Sequence, residues 1–240
     1  RDCAEAAAQA LLARRDQWDV IWFHEQTADH PALESFCAML ASKGVLHGRV
    51  ASSQCPYLTF QGTWQELLAS KSRKFRKNLK SARRRLESAG RLEYECCKGD
   101  PERLQALFEE YELLESRSWK GKVSGVGVSQ SVEHLRFYRG LIRAFGNSGQ
   151  FVFRSLRLDG RMVAATFGLV HRRKYYSLHI ANDAEYAKYS PGTLLESLEL
   201  EECFDAGLEE YDFLGGFLKN KLRWATRMRD TVEVHLYQRQ

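Results

Sequence analysis

Along this chain the apolar positions switch between the two-residue period of strands and the three-to-four-residue period of helices. The switch is fastest over residues 174–216, KYYSLHIANDAEYAKYSPGTLLESLELEECFDAGLEEYDFLGG. Tyr175 to Ile180 alternates and is rich in aromatics, Ser190-Pro191-Gly192 opens a helix running to Ala206, and Glu210 to Leu214 returns as a strand. Two strands joined by a crossover helix run parallel. The segment from Ala181 to Pro191 then forms a loop outside the carboxyl end of the first strand. Open α/β sheets bind ligands there, and the unpaired N–H groups at the start of the next helix suit an anion.

Upstream, Gln150 to Leu158 alternates, Asp159-Gly160 is a two-residue type I′ turn, and Met162 to Val170 returns as a mainly apolar strand. Leu92 to Cys97 predicts another strand. Asp100-Pro101-Glu102 starts a helix whose face is Leu104, Leu107, Phe108, Tyr111 and Leu114, and a second helix from Val132 to Phe145 turns Leu135, Tyr138, Leu141, Ile142 and Phe145 inward. Lys120 to Gly127 is a glycine-rich break. Before residue 98 the pattern predicts an amphipathic helix at the start, strands at Asp19 to Glu25, Val45 to Val50 and Tyr57 to Phe60, and a helix from Ala32 to Lys43. A last strand is expected at Val232 to Tyr237. The class is α/β (α+β), with no GxGxxG or GxxxxGK[ST] fingerprint, which disfavours Rossmann and P-loop enzymes.

Charge changes this picture at one helix. Between Lys71 and Arg85 stand nine basic residues and no acidic one, while the whole chain carries only +5. Phe75, Leu79, Ala82 and Leu86 lay an apolar stripe along that helix and leave the cations on its other faces, and Gly90 closes it as a C-terminal cap. Such a helix is either a solvated face or a seat for a polyanion: nucleotide-cofactor phosphates, a tRNA acceptor stem or anionic lipid headgroups. The 44% hydrophobic content supports a folded core, and no apolar run approaches the roughly 18 residues of a membrane span. A cytoplasmic, soluble protein is expected. Peripheral contact with a membrane surface stays open, as does a segment upstream of residue 1. The six cysteines lack metal-ligand spacing, so reduced thiols and no metal are expected.

Several ordered strings carry a family resemblance: SRKFRKNLKSARRRLESAG at Ser72 to Gly90, ESRSWKG at Glu115 to Gly121, LRLDGRMVAATFGL at Leu156 to Leu169, YSPGTLL at Tyr189 to Leu195, and GLEEYDFLGG with the nearby Lys219 and Trp224. Together they resemble the CelD-like or BioF-like subgroup of GNAT acetyltransferases, which is related to the Fem aminoacyltransferases. The resemblance implies a GNAT acyl-CoA N-acyltransferase fold in tandem, a degraded N-terminal half over 1–98 ending in the basic helix, and a complete acyltransferase domain over 99–240. It further implies acyl transfer from acyl-CoA, for instance acetyl-CoA, to a primary amine, with an amino sugar or a cell-envelope or polysaccharide precursor as acceptor. A Fem-like enzyme using aminoacyl-tRNA, and a non-catalytic scaffold that binds a polyanion in polysaccharide assembly, are the alternatives.

In that family the cofactor diphosphate rests on a glycine-rich loop at a helix start. Here Lys188, Tyr189, Ser190, Pro191, Gly192 and Thr193 fill that place, with Gly192, Thr193 and Leu194 offering N–H groups and Ser190 the N-cap. The alternative is a plain helix cap. His179 is the candidate base, or a hydrogen-bonded structural histidine. Asp183 would orient His179 or the amine, or make a turn. Asp212, in an apolar string, is either a site carboxylate or the salt-bridge partner of Lys219, Lys221 or Arg223. Tyr189 and Tyr186 are candidate acids for the departing thiolate, or loop packing. Trp119 and Lys120 would line the acceptor pocket with Lys219, although Trp119 could equally plug the core at a helix end.

Overall fold

The computed structural model describes residues 2–119, 127–215 and 221–238, and its contacts divide the chain into two units, 1–57 with 214–240, and 58–213. The cut expected after residue 98 coincides with neither boundary. The reason is pairing: strand β3 (Leu92–Cys97) ladders with β4 (Phe151–Leu158), and basic helix α4 (Arg73–Ala89) packs on α7 (Pro191–Asp205), so a division at 98 would split a sheet and a core.

In the larger unit the strand order is β7-β6-β5-β4-β3, with β5 at Arg161–His171, β6 at Lys174–Asn182 and β7 at Glu210–Asp212. All neighbours are antiparallel except β6 and β7, which are parallel as the crossover predicts. Phe151, Phe153 and Phe167 pack with Leu104, Phe108 and Tyr111 of α5 (Pro101–Ser116) and Ile142 of α6 (Val132–Phe145). A second cluster joins Leu156, Val163 and Ala164 to Leu86 of α4 and Leu194 and Leu195 of α7. Strand β4 is therefore buried on both faces, and its apparent alternation in sequence does not mark a solvent side.

Local chemistry explains the ends. Asp100 caps α5 by accepting from the Arg103 amide at 2.9 Å, as expected. Short helix α3 (Trp64–Ser70) opens with a Thr63–Glu66 capping box. Asp159 and Gly160 have φ of 50° and 80°, the left-handed pair of a type I′ turn. Gly90 follows α4 with an extended φ of 165° rather than the left-handed cap expected. Its lack of a Cβ matters for another reason: a Cβ there would stand 2.2 Å from the Asp159 carboxylate, which accepts from the Arg91 amide at 2.8 Å. The β5–β6 turn holds Arg172 and Arg173 at φ of 47° and 61°, a conformation that suits Asn and Gly. Arg172→Asn is expected to raise the stability by about 0.5–1 kcal/mol, read by urea denaturation.

The smaller unit pairs β8 (Arg227–Tyr237) with β1 (Val20–Thr27) and with β2 (Leu46–Thr59), all antiparallel, and α1 (Asp2–Leu12) and α2 (Pro31–Ser42) pack on Val234 and Leu236. The two strands expected at Val45 to Val50 and Tyr57 to Phe60 are one strand. A register shift between Ala51 and Gln54 absorbs the polar middle that read as a break. Among the described residues no helix is long and apolar enough to cross a membrane.

Candidate active site

The site is organised by the end of the β6–β7 ladder. The two strands pair over three positions, Lys174–Glu210 to Tyr176–Asp212, and β7 ends there while β6 continues to Asn182. A register shift between Phe167 and Gly168 leaves Leu178 as an extra residue on β6 just past that point. The segment after β6, expected as a loop, is a 3-10 turn from Ala184 to Tyr189 that leads into α7.

The start of α7 differs from an ordinary cap. Ser190 is the N-cap residue but sits in the left-handed region, φ 57° and ψ 49°, and its side chain makes no capping hydrogen bond. Pro191 has no N–H to satisfy. The Leu194 amide already donates to Ser190 O at 3.2 Å and its side chain is buried, so Leu194 is no ligand donor, contrary to expectation. Gly192 and Thr193 keep the candidate amides. A Cβ on Gly192 would lie 3.2 Å from Asn182 Oδ1, which places the end of β6 directly against this helix start.

His179 lies on β6 beyond the ladder. Its Nε2 is 2.7 Å from Tyr138 Oη, and its ring packs edge-on to Tyr138 and against Phe167. Burial first, and then the nearby Glu115 charge, push the Tyr138 phenol up, so it stays neutral. Glu115 is itself buried, accepting from Tyr111 Oη at 3.1 Å and from Ser129 N and Oγ at 2.8 and 2.9 Å. The sequence placed Tyr138 on the inward face of its helix without assigning it to His179, 41 positions away.

Asp183 does not join His179. Its Oδ2 binds Arg117 Nε at 2.9 Å and Arg161 Nη2 at 2.7 Å, and its Oδ1 accepts from the Glu185 amide at 3.0 Å. Burial works to raise its pKa, but the Glu185 amide and the two guanidiniums outweigh it and hold the carboxyl below its ordinary value. Asp183 is thus a clamp that ties the end of α5 to β5 and the 184–189 turn.

Asp212 is buried at the last pair of the ladder, as a site carboxylate or a paired one would be. Lys221 Nζ donates to the carbonyls of Leu214 and Gly215. Tyr189 is half-buried and lines a cavity with Ser81, Arg84, Arg85, Ser88 and Ala89 of α4, with Lys188 Nζ 4.9 Å from its ring centre. That placement faces it toward the basic helix. Tyr186 packs beside it under Arg161. Trp119 is exposed (58%) rather than a core plug, and Lys120 and Lys219 lie outside the described residues.

Behind the site is a cluster that no sequence pattern announced. Arg154 on β4, 3% exposed, reaches Glu199 at 3.1 Å and Glu202 at 3.1 Å, both on α7. Tyr211 Oη donates to Glu199 at 2.8 Å, and Tyr94 Oη and Cys96 Sγ donate to Glu202. These bonds lock α7, and with it the Gly192 end, to the sheet.

An acetyltransferase (GNAT) domain model matches residues 73–222, more than half of the chain, and the chain belongs to that family. Its fold is similar to that of FemX (TM-score 0.66, 13% identity, covering 98% of this chain and 76% of that one). It is also similar to the C-terminal domain of a putative lysylphosphatidylglycerol synthetase from Agrobacterium fabrum (TM-score 0.59, 12% identity, 97% and 72%). A third likeness is to a conserved protein of unknown function from Bacteroides thetaiotaomicron (TM-score 0.56, 12% identity, 98% and 75%). At these identities the likeness establishes a GNAT/Fem-related fold. No curated protein matches the sequence.

Proposed function

We propose that this GNAT-type acyltransferase moves an acyl group from an acyl-CoA thioester to a primary amine, with an amino sugar or a cell-envelope precursor as the acceptor class. The observation that carries the donor is the start of α7, where a left-handed Ser190 leaves the helix uncapped by its side chain and presents Gly192 and Thr193 beside the end of β6. The CoA diphosphate rests on those amides, and the pantetheine follows β6 past the ladder's end toward His179. The amine attacks the thioester carbonyl carbon, a C–N bond forms, the C–S bond breaks, and the thiolate departs. His179 takes the amine proton, and the Tyr138 oxygen accepts from Nε2–H of the resulting imidazolium. Trp119 forms an exposed aromatic wall for the acceptor.

Calorimetric titration tests the donor. Wild-type protein is expected to bind acetyl-CoA and desulfo-CoA, and Gly192→Val to bind both about tenfold or more weakly, since the valine fills the approach to the amides. Aminoacyl-tRNA binding that falls steeply with salt, with indifference to every CoA species, would replace the donor with aminoacyl-tRNA.

A further inference from the structure

The outer face of α4 is arranged against the rules that stabilise a helix. Arg73, Arg76, Lys77, Lys80, Arg83 and Arg84 are exposed and line one open groove of about 660 Å³, and that lining contains no carboxylate. Helical spacing puts the six in a single stripe, roughly 16 Å long at 1.5 Å per residue. Arg73 and Lys77, Arg76 and Lys80, and Lys80 and Arg84 are like charges four positions apart, a spacing at which repulsion works against the helix. The first turn holds Arg73, Lys74 and Arg76 and no acid, which sets cations against the positive end of the helix dipole. Arg83 is 4.0 Å from Glu87, and the other five cations of the stripe have no carboxylate partner among the described residues.

The shape of the stripe decides its partner. Every residue lining the groove belongs to α4, so the cations form a one-sided row with no facing wall to enclose a nucleic-acid strand. No aromatic side chain stands among them to stack a base, because Phe75 lies on the inward stripe with Leu79, Ala82 and Leu86. A straight, one-sided row of long cationic side chains complements a flat layer of negative headgroups. We infer that α4 docks through this stripe on the surface of an anionic lipid bilayer. The apolar side of the helix is spent on the core with Leu156, Val163 and Leu194, and α4 keeps no exposed large hydrophobic side chain to insert between acyl chains. The contact is therefore electrostatic and salt-sensitive, unlike that of an amphipathic helix that buries its apolar face in the membrane. The inference holds whatever the acyl donor and acceptor are.

Co-sedimentation tests it, with vesicles of phosphatidylcholine alone and of phosphatidylcholine containing about a quarter phosphatidylglycerol. The wild type is expected to bind the anionic vesicles at low salt, to ignore the neutral ones, and to bind about tenfold or more weakly at roughly 0.5 M salt. Arg76→Gln/Lys77→Gln/Lys80→Gln should weaken binding roughly ten- to a hundredfold with its circular dichroism spectrum unchanged. Arg136→Gln/Arg143→Gln/Arg172→Gln removes three exposed cations away from α4 and should retain most of the affinity, which separates the stripe from net charge. Equal binding to both vesicles, affinity that survives the α4 substitutions, or an equal loss in the second variant would overturn the inference. Duplex RNA that binds more tightly than the anionic vesicles at the same salt and displaces them would overturn it too, and would give the stripe to a nucleic acid.

Discussion

His179→Ala is expected to lower kcat for acetyl transfer by about a hundredfold or more while leaving the Kd for acetyl-CoA unchanged. The split follows from placement. In the proposed donor pose the diphosphate lies at the Gly192 and Thr193 amides, whereas His179 sits on β6 against Tyr138 and Phe167. Tyr138→Phe should give a smaller loss of kcat, because the imidazole stays and only the 2.7 Å partner of its Nε2 is removed. The measurement is steady-state turnover on a panel of amino sugars, with CoA affinity taken separately. Turnover that is unchanged in His179→Ala would remove the histidine from the chemistry and leave it as a packing group between α6 and the sheet.

Arg154→Met should destabilise the larger unit by about 3–5 kcal/mol, because it strands two carboxylates in the interior rather than because a strong bond is lost. Arg154 and Glu199 are almost wholly buried and joined at 3.1 Å, and Glu202 shares the same guanidinium. Burial pushes Glu199 above its ordinary value, against the pull of Arg154. For Glu202 burial pulls the same way, but Arg154, Tyr94 and Cys96 outweigh it and hold the carboxyl below its ordinary value. The sign for Glu202 follows. Its folded pKa is depressed, so its contribution is present above the unfolded value and fades as pH falls through the folded one. The penalty of Arg154→Met, measured by denaturant unfolding, should therefore shrink as the medium is acidified and the stranded carboxyls become neutral. Adding Glu199→Leu and Glu202→Leu should recover much of the loss. A loss under about 1 kcal/mol at neutral pH would mean that water reaches the cluster.

The sequence carried most of the larger unit because its signals there are local. Phe75, Leu79, Ala82 and Leu86 recur at helical spacing and do face inward, and Asp159-Gly160 demanded a tight turn that the backbone adopts. The α3 capping box at Thr63 and Glu66 was present in the string but too short a signal beside the basic run that follows. Strand β2 was hidden because a bulge and Pro56 interrupt its pattern, and only its long pairing with β8 makes it one element. The site was less legible for a different reason. The Arg154 cluster joins residues 45 and 48 positions apart, and the Tyr138–His179 contact spans 41, so no window of sequence contains both partners. Asp183 read as a site carboxylate because its two arginines, 22 and 66 positions away, are invisible locally. Ser190 read as a side-chain cap because its residue type favours one. The left-handed backbone that prevents this is imposed by the 184–189 turn before it.

A crystal of the protein grown with coenzyme A would test the seat of the donor most directly. The diphosphate is expected within hydrogen-bond reach of the Gly192 and Thr193 amides, beside Asn182 and the end of β6. Coenzyme A bound elsewhere, or that helix start walled off by side chains with no room for a diphosphate, would contradict it.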